Sequence, residues 1–390
     1  MSKTTPGWCF SIDVGGTFTD CVARTPAGEL RTLKVLSSAA LKGNVDAAEG
    51  RGIRDPGLRR ARDDIFRGFQ LRLLDADGVE RERAEVAGSL GADGSISTAE
   101  ELRGLAAART WELVSPEEAP LLCMRLLMEL RLDEKIGEAA LRLGTTRGTN
   151  ALLERSGART AILTTPGFAD LLLIGNQDRP RIFDLEIKKP APLFEDVFEI
   201  PGRISAAGEE LEPLDIKLAA ARLVELEAAG IEAVAICLLH SLANPGHEEA
   251  LAELARGHGF AEVALSSRSS VSARMVSRGD TALVDAYLAP VIRSHVDSIR
   301  ASAPAVELRL LTSAGGLCSP GSFSGKDSIL SGPAGGVVGS AHVAEQAGCT
   351  RAIAFDMGGT STDVSRWDGD FEMESETMKA GVRIATPLLA

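Results

Sequence analysis

The sequence predicts an α/β protein with partly parallel sheets, and two observations support this class. From Ala140 onward, short apolar stretches alternate with helical segments, as in LDIKLAAARLVELEAAG followed by IEAVAICLLHS. An apolar strand, a Gly-Gly turn and a returning strand also occur near each end of the chain, at residues 8–23 and 351–371. Alternation of strands and helices is typical of parallel strands joined by crossover helices.

Composition and charge exclude several classes of protein. The 390 residues include 55 acidic and 42 basic side chains, and the net charge is −13. An acidic chain without a dense Lys/Arg stripe is a poor candidate for nucleic-acid binding, which depends on neutralising phosphates. No apolar run approaches the ~20 residues that span a bilayer, and the N-terminal stretch lacks a secretory signal pattern. The six scattered cysteines form no CxxC pair, so we expect reduced thiols in a cytoplasmic protein.

The elements are predicted in order along the chain. Trp8–Val14 and Thr17–Ala23 are predicted to form the first strand pair. Residues 37 to about 136 are rich in Arg, Asp and Glu, and we interpret them as helices and surface insertions, with one helix over Leu121–Leu132. After that, LRLGTT predicts a strand, TNALLERSG a helix closed by Gly157, and RTAILTTPGF another strand. EEALAELARGHG and AEVALSS predict a further helix and strand.

One motif is repeated within the chain. DVGGTFTD at Asp13–Asp20 recurs as DMGGTSTD at Asp356–Asp363, with six of eight positions identical. Each copy follows an apolar strand, CFSI or AIAF. We therefore expect two similar hairpins in two similar lobes that face a cleft.

The residue types in these hairpins suit a nucleotide phosphate. Glycines let backbone N–H groups approach an anion closely, and threonine hydroxyls add donors. The terminal Asp13 and Asp356 are hard oxygen ligands of the kind that hold Mg²⁺. An ordinary Gly-Gly turn explains either copy alone, whereas the pair favours phosphate binding. The donors are Gly15, Gly16, Thr17, Thr19, Gly358, Gly359, Thr360 and Thr362.

A third glycine-rich segment, SGPAGGVVGS, contains Gly332 and Gly335 and precedes a small-residue helix. The N-terminus of that helix is a possible phosphate site, and close packing on a sheet is an equal alternative. The segment lacks the G-x-G-x-x-G spacing of a dinucleotide fold, and the nearest string to a Walker A motif, GSFSGKD, is one residue short. The five histidines lack the spacing of a zinc site.

Four segments resemble the hydantoinase A/5-oxoprolinase family: FSIDVGGTFTDCVA, LGTTRGTNALLERSGARTAILTTPGFADLLLIG, SGPAGGVVGS and AFDMGGTSTDVS. GNQDRPRIFDLEIKKPAPLFEDVFEI and SRGDTALVDAYLAP are more similar to the 5-oxoprolinase branch. The resemblance covers most of the chain outside residues 37–136.

The resemblance implies a two-lobed fold similar to the actin, sugar-kinase and heat-shock ATPase superfamily, with RNase H-like lobes closing on Mg-ATP. It also implies ATP-dependent opening of a cyclic amide, 5-oxoproline to glutamate, with phosphorylation of the lactam oxygen before water attacks. This chain would supply the phosphorylating half, and a hydantoinase B-like subunit or domain the hydrolytic half. Family members continue beyond the second hairpin, so the resemblance predicts an incomplete second lobe.

The same resemblance assigns roles to individual residues. The two Gly-Gly-Thr turns are expected to hold the β- and γ-phosphates, and Asp13 and Asp356 to organise Mg²⁺. Asp20 and Asp363 close the hairpins, where orienting water or substrate and purely structural hydrogen bonding are equal alternatives. The candidate substrate residues are Thr145, Thr146, Asn150, Gln177 and Arg179.

Two domains are expected. Residues 8–205 would form the N-terminal region with the first hairpin and a helical insertion, and residues 206–390 the hydantoinase A domain with the second hairpin. Alternative functions are a hydantoinase or other lactamase component, and a non-catalytic or actin-like ATPase fragment.

Overall fold

Strands dominate residues 7–145 of the computed structural model, which describes residues 7–45, 47–105, 107–177, 183–357 and 362–389. One helix, α1 (Ala119–Met128), follows the tenth strand and packs on the first three. The strands are β1 (Trp8–Val14), β2 (Phe18–Arg24), β3 (Leu30–Leu36), β4 (Ala40–Asn44), β5 (Ala47–Glu49), β6 (Gly52–Arg54), β7 (Gln70–Leu74), β8 (Glu80–Leu90), β9 (Ser95–Thr98), β10 (Thr110–Val114) and β11 (Ala139–Thr145).

The helical insertion predicted at residues 37–136 is therefore wrong, apart from the helix that became α1. Many of its charged residues lie on the strands β7, β8 and β10, where alternate side chains share a face. On β7, Leu71 and Leu73 are buried, and Arg72 between them pairs with Glu80 of β8 at 2.6 Å and Glu112 of β10 at 2.8 Å. The Arg and Glu residues thus form ion pairs across neighbouring strands, which a search for helical spacing does not detect.

Residues 146–302 alternate between helices and strands, as predicted. The helices are α2 (Arg147–Glu154), α3 (Leu171–Ile174), α4 (Ile216–Ala228), α5 (Gly246–Gly257), α6 (Ser266–Ser269) and α7 (Met275–Ser302). The strands are β12 (Thr160–Thr164), β13 (Phe194–Glu199), β14 (Arg203–Ile204), β15 (Glu210–Glu212), β16 (Ala233–Cys237) and β17 (Glu262–Leu265). Strands β13, β12, β16 and β17 form a parallel sheet in that order, so the predicted α/β class is confirmed.

Apart from one short turn near the N-terminus, the remaining elements lie between residues 306 and 389. The helix α8 (Ser331–Gln346) precedes the second hairpin, and short 3-10 turns lie at Pro56–Leu58, Pro320–Ser322 and Gly325–Ser328. The strands are β18 (Val306–Leu311), β19 (Leu317–Cys318), β20 (Ala352–Met357), β21 (Thr362–Trp367), β22 (Met373–Glu374), β23 (Thr377–Lys379), β24 (Val382–Ile384) and β25 (Leu388–Leu389).

The described residues divide into two compact units. The first carries a thirteen-stranded sheet in which β11, β1, β2 and β3 are successive neighbours. Unit 1 comprises residues up to Thr145, His295–Leu311 and Leu317–Pro320, and unit 2 comprises Thr146–Ser294, Thr312–Gly316 and residues from Gly321. The domain boundary predicted at residues 205/206 falls inside the second unit.

In the second unit, β20 and β21 pair into a two-stranded ribbon. Its inner face packs on α8, where Trp367 and Ala352 contact Ala341 and Ala344. The outer ribbon face carries four apolar side chains that are between 61% and 76% exposed, Ile353, Phe355, Met357 and Val364, and Thr362 and Arg366 share that face.

Candidate functional site

The first Asp-Gly-Gly hairpin joins β1 to β2, as the sequence predicted. Asp13, the penultimate residue of β1, lies opposite Asp20 of β2, and β11 runs parallel to β1 on the other side with Gly144 opposite Asp13. A Cβ at Gly144 would lie 2.9 Å from Asp13 Oδ1. Gly144 therefore gives the Asp13 carboxylate its room, a role that the motif alone does not reveal.

The turn of this hairpin is held by a residue outside the motif. Ser37, just after β3, donates its hydroxyl to Gly15 O at 2.7 Å and its N–H to Thr17 O at 2.9 Å. Within the turn, the Gly15 N–H donates to Phe18 O at 3.0 Å. Gly16 and Thr17 are exposed, so their N–H and hydroxyl groups are available to an anion.

Two of the predicted site residues support the hairpin instead of facing a ligand. Thr19 is fully buried, and its hydroxyl lies 3.1 Å from Ser37 Oγ, so the prediction that it binds phosphate is corrected. Asp20 accepts two hydrogen bonds from Lys34 Nζ at 2.8 and 2.7 Å. Of the two roles left open for Asp20, this ion pair favours the structural one.

The second hairpin has the same register as the first. Asp356 of β20 lies opposite Asp363 of β21, and Met357 opposite Thr362, just as Asp13 lies opposite Asp20 and Val14 opposite Thr19. The turn residues Gly358, Gly359 and Thr360 lie outside the described residues. The repeat seen in the sequence is thus also a repeat of strand pairing.

A groove of about 410 Å³ lies between the Asp356–Asp363 end of the second hairpin and the N-terminal half of α8. Asp356 and Asp363 both line it, together with the hydroxyl-bearing Ser340 and Ser365 and the cation Lys379. The remaining lining residues are Leu330, Pro333, Gly336, Val337, Ala354, Phe355, Val364, Glu374, Leu388 and Leu389. Two facing carboxylates beside hydroxyl groups suit a Mg²⁺ ion that takes its other ligands from phosphate and water.

No cluster of three or more His, Cys, Asp or Glu suited to a metal occurs among the residues that the structure describes. A Mg²⁺ ion that accompanies a nucleotide does not need such a cluster, because phosphates complete its coordination. The donor set at Asp356 and Asp363 therefore fits a metal–nucleotide complex.

The sequence predicted that the glycine-rich segment SGPAGG precedes a helix. In the structure this segment instead forms the first turns of α8. Gly332 and Gly335 are half-buried within it, and Gly336 on the same helix lines the groove. Leu330, in the left-handed conformation with φ 62°, donates its N–H to Thr149 Oγ1 at 3.1 Å. The start of α8 is thereby fixed to α2.

The predicted substrate residues are spread over three environments. Thr145 is buried at the end of β11, whereas Asn150 lies on α2 and donates to Thr146 Oγ1 at 3.4 Å. Gln177 is exposed after α3 with φ 59°, and Arg179 lies outside the described residues. A Cβ at Gly148 would overlap Ser328, so GTTRGTN also packs against the turn that leads to α8.

Across the described part of the chain, no helix is long and apolar enough to cross a membrane.

Fold and hairpins together define the class: an α/β protein in which each of two units carries an Asp-x-Gly-Gly hairpin of the same strand register. Comparison with known families identifies the particular one. Residues 9–65 and 106–259 match the family described as "Hydantoinase/oxoprolinase N-terminal region", and residues 278–390 match the family described as "Hydantoinase/oxoprolinase". The chain belongs to the hydantoinase/oxoprolinase family, as the resemblance predicted. Residues 66–105, which carry β7 to β9, lie outside the match.

Curated relatives include 5-oxoprolinases. The chain is 39% identical over 313 residues to the 5-oxoprolinase of Saccharomyces cerevisiae, covering 70% of this chain and 24% of the relative. It is 40% identical over 306 residues to 5-oxoprolinase 1 of Arabidopsis thaliana, with the same two shares. The chain thus spans about a quarter of the length of these relatives.

Two solved structures share the fold. A nucleotide-free acetone carboxylase matches with a TM-score of 0.64 at 20% identity, covering 98% of this chain and 47% of that one. An ATP-dependent caprolactamase from Pseudomonas jessenii matches with a TM-score of 0.65 at 22% identity and the same coverage. At these identities the likeness concerns the fold.

Proposed function

We propose that this chain takes part in the ATP-dependent hydrolysis of a cyclic amide and supplies the part that binds ATP and phosphorylates the amide oxygen. Membership of the hydantoinase/oxoprolinase family supports the reaction class. The relatives named 5-oxoprolinase favour 5-oxoproline as the substrate, with hydantoin or another lactam as the alternative.

The observation that carries the proposal is the repeated Asp–Asp register of the two hairpins. The residue types of the two Gly-Gly-Thr segments would offer N–H and hydroxyl donors to phosphate oxygens, and Asp13 and Asp356 would supply carboxylate ligands to a Mg²⁺ ion. An acidic chain needs such local donors to bind a polyanion. Gly332 and Gly335 in α8 remain proposed phosphate neighbours.

The chemistry requires activation of a poor electrophile. Amide resonance makes a lactam carbonyl unreactive toward water, and transfer of the γ-phosphoryl group to its oxygen creates a leaving group. Transfer releases ADP, and water attack on that carbon with cleavage of the ring C–N bond would leave an open-chain acyl phosphate. A second water would then hydrolyse the acyl phosphate to the amino acid and phosphate. Phosphoryl transfer depends mainly on positioning and charge neutralisation, which Asp13, Asp356 and bound Mg²⁺ would supply.

Substrate and partner residues are also proposals. Thr146, Asn150 and Gln177 offer hydroxyl and amide groups for the ring, Arg179 offers a cation for a carboxylate, and Thr145 supports the loop from a buried position. A hydantoinase B-like subunit would carry out the hydrolytic half, in a cytoplasmic complex.

The first test is thermal unfolding with and without Mg-ATP. A ligand at 100 times its dissociation constant stabilises a two-state native protein by about 2.7 kcal/mol. We expect this stabilisation in the wild type and its loss in Asp356→Asn and Asp13→Asn. Asp297→Asn, a change at an exposed carboxylate of α7, is the matched control and should keep the shift. Absence of any shift in the folded wild type would contradict the proposal.

The second test identifies the substrate. Phosphate release from ATP is measured with 5-oxoproline, hydantoin and ε-caprolactam, with and without a hydantoinase B-like subunit. We expect one ring to stimulate release and Asp356→Asn to abolish that stimulation. ATP turnover that is indifferent to every ring would instead indicate an ATPase of another kind.

A further inference from the structure

The helix α8 starts from a strained backbone conformation. Leu330, the residue before its first turn, has φ 62° and ψ 19° and lies in the left-handed region. A residue with a side chain is disfavoured there, because its Cβ comes close to the following carbonyl oxygen. Such a conformation persists only where neighbouring contacts hold it, and these conformations concentrate at binding sites and switch segments.

Contacts on two sides hold the residues that lead into α8. From α2, Thr149 Oγ1 accepts the Leu330 N–H at 3.1 Å. From the other side, the Ser313 hydroxyl contacts the backbone oxygens of Asp327 and Ile329. Ile329 is itself fully buried. The Thr149 hydroxyl is thus bonded directly to the residue in the left-handed conformation.

The direction in which α8 leaves Leu330 determines one wall of the Asp356–Asp363 groove. The residues of this wall recur every three or four positions: Leu330, Pro333, Gly336, Val337 and Ser340. Side chains at this spacing lie on one face of a helix. A turn or tilt of α8 at its first residue would therefore move the whole wall relative to the two carboxylates on the ribbon.

We propose that Thr149 is a positioning residue for the Asp356–Asp363 groove. By accepting the Leu330 N–H, its hydroxyl stabilises the left-handed conformation and so fixes the wall that α8 supplies. Without this acceptor, Leu330 also populates the commoner right-handed region, and fewer molecules have the groove in the form that binds Mg-ATP. Thr149 is absent from the lining of the groove, so it acts through Leu330. The inference rests on the proposed function of this groove.

A pair of substitutions at Thr149 tests the hydroxyl by titration calorimetry with Mg-ATP. Thr149→Val removes the acceptor at nearly constant volume, and we expect the apparent dissociation constant to rise about five- to tenfold, since it increases as the binding-competent fraction falls. Thr149→Ser keeps the acceptor and should bind like the wild type. The matched control is Thr160→Val, which removes a buried hydroxyl that donates to Ala158 O at 2.9 Å in the same unit. That variant should lose stability and keep its affinity.

Leu330→Gly tests whether the hydroxyl acts through the backbone. Glycine adopts the left-handed conformation at no steric cost. We therefore expect Thr149→Val to weaken Mg-ATP binding less in the Leu330→Gly background than in the wild type. Leu330 lines the groove, so each comparison is made within one background. An equal loss in both backgrounds would overturn the proposal. Thr149→Ala, which also lacks the acceptor, replaces Thr149→Val if that variant does not fold.

Trp367 reports the placement of α8 in the absence of nucleotide. It lies on the ribbon and packs against Ala341 and Ala344 of α8. The chain has three tryptophans, and the other two belong to the first unit. In the 5-fluorotryptophan-labelled chain, we expect Thr149→Val to shift the ¹⁹F signal of Trp367 and to leave the other two signals in place. Trp367→Phe assigns the signal. A Trp367 signal that stays at its wild-type position would overturn the proposal.

The two measurements separate this inference from the proposed function. If the wild type binds Mg-ATP and Thr149→Val binds it equally well, the positioning role is overturned and the proposed function stands. If the wild type binds no Mg-ATP and Thr149→Val shifts the Trp367 signal, the proposed function fails. Thr149 then remains the residue that sets the placement of α8 on the ribbon.

Discussion

Ser37 and Gly144 show how much of a hairpin's geometry is determined outside its motif. Ser37 holds the turn through two hydrogen bonds to backbone carbonyls, and Gly144 leaves the Asp13 carboxylate its space. Each acts by keeping a proposed ligand group in place, as neighbours of binding sites commonly do.

Gly148 illustrates a close approach that tolerates no side chain. A Cβ there would lie 2.8 Å from Ser328 Cβ and overlap the Ser328 hydroxyl. We expect Gly148→Ala to destabilise the chain by about 1–3 kcal/mol, because overpacking forces neighbouring atoms apart. The control is Gly339→Ala in α8, where a Cβ meets open space. That change should stabilise the chain by about 0.5–1 kcal/mol, since alanine suits a helix interior better than glycine. Urea unfolding midpoints measure both, and equal effects would contradict the packing argument.

Glu376 makes stability depend on pH. Burial raises the pKa of this carboxyl, but hydrogen bonds from Ser277 and Arg383 outweigh burial, and the pKa is lower than usual. A carboxyl group whose pKa is lowered by folding stabilises the native state above its unfolded pKa and loses that contribution as pH falls through the folded value.

We therefore expect Glu376→Gln to lower the free energy of unfolding at pH 7, because the variant lacks the ionised acceptor. The difference from the wild type should shrink as the pH falls below the ordinary Glu pKa of about 4.3. Chemical unfolding at a series of pH values checks this. A difference that stays constant from pH 7 to the acid limit would show that the ionised form contributes nothing.

At the scale of elements, the two hairpins differ in what covers them. In the first, β3 and β11 extend both edges and α1 packs on the strands. The side chains on its covered face, Phe10, Ile12, Val14 and Cys21, are at most 4% exposed. The matching positions of the second hairpin are those of the outer ribbon face, which is exposed.

This contrast predicts that truncating a side chain at matched positions of the two hairpins changes the free energy of unfolding by very different amounts. Ile12→Ala should cost about 2–5 kcal/mol, as truncation of a buried aliphatic side chain does. Phe355→Ala, at the equivalent register position, should change stability by less than about 0.5 kcal/mol. Unfolding free energies of the two variants test the comparison. A large loss for Phe355→Ala would mean that the outer face is buried in solution.

Helices and strands were predicted correctly where the spacing of apolar residues matched clearly either a helix or a strand. The hairpin motif and the alternation after Ala140 were correct because apolar runs there are bounded by glycine-containing turns. The prediction of helices at residues 37–136 was wrong because the Arg and Glu residues there pair across strands such as β7, β8 and β10. The strands that pair are distant in the sequence. The cavity of about 440 Å³ formed by segments around residues 172, 190, 283 and 382 was not foreseen, because these segments are far apart in the sequence.

At the scale of the whole chain, the residues that match the family do not coincide with the structural units. The family match omits residues 66–105, yet β7 to β9 lie between β10 and β6 in the large sheet. The extra strands are thus integrated into the hydrogen-bonded order of the first unit. Removing them would take away one of the two strand neighbours of β10 and one of the two strand neighbours of β6.

The outer ribbon face also has a colloidal consequence. At neutral pH the net charge of −13 keeps molecules apart, but this repulsion vanishes near the isoelectric point of about 5.1. Four exposed apolar side chains on a short ribbon then favour self-association. We expect light scattering to rise steeply as the pH approaches 5 and Phe355→Ser to shift that onset to higher protein concentration. Ser95→Ala, a change on β9 in the other unit, should leave the onset where it is. The same ribbon that carries Asp356 and Asp363 would then limit the concentration at which the protein can be studied in mildly acidic solution.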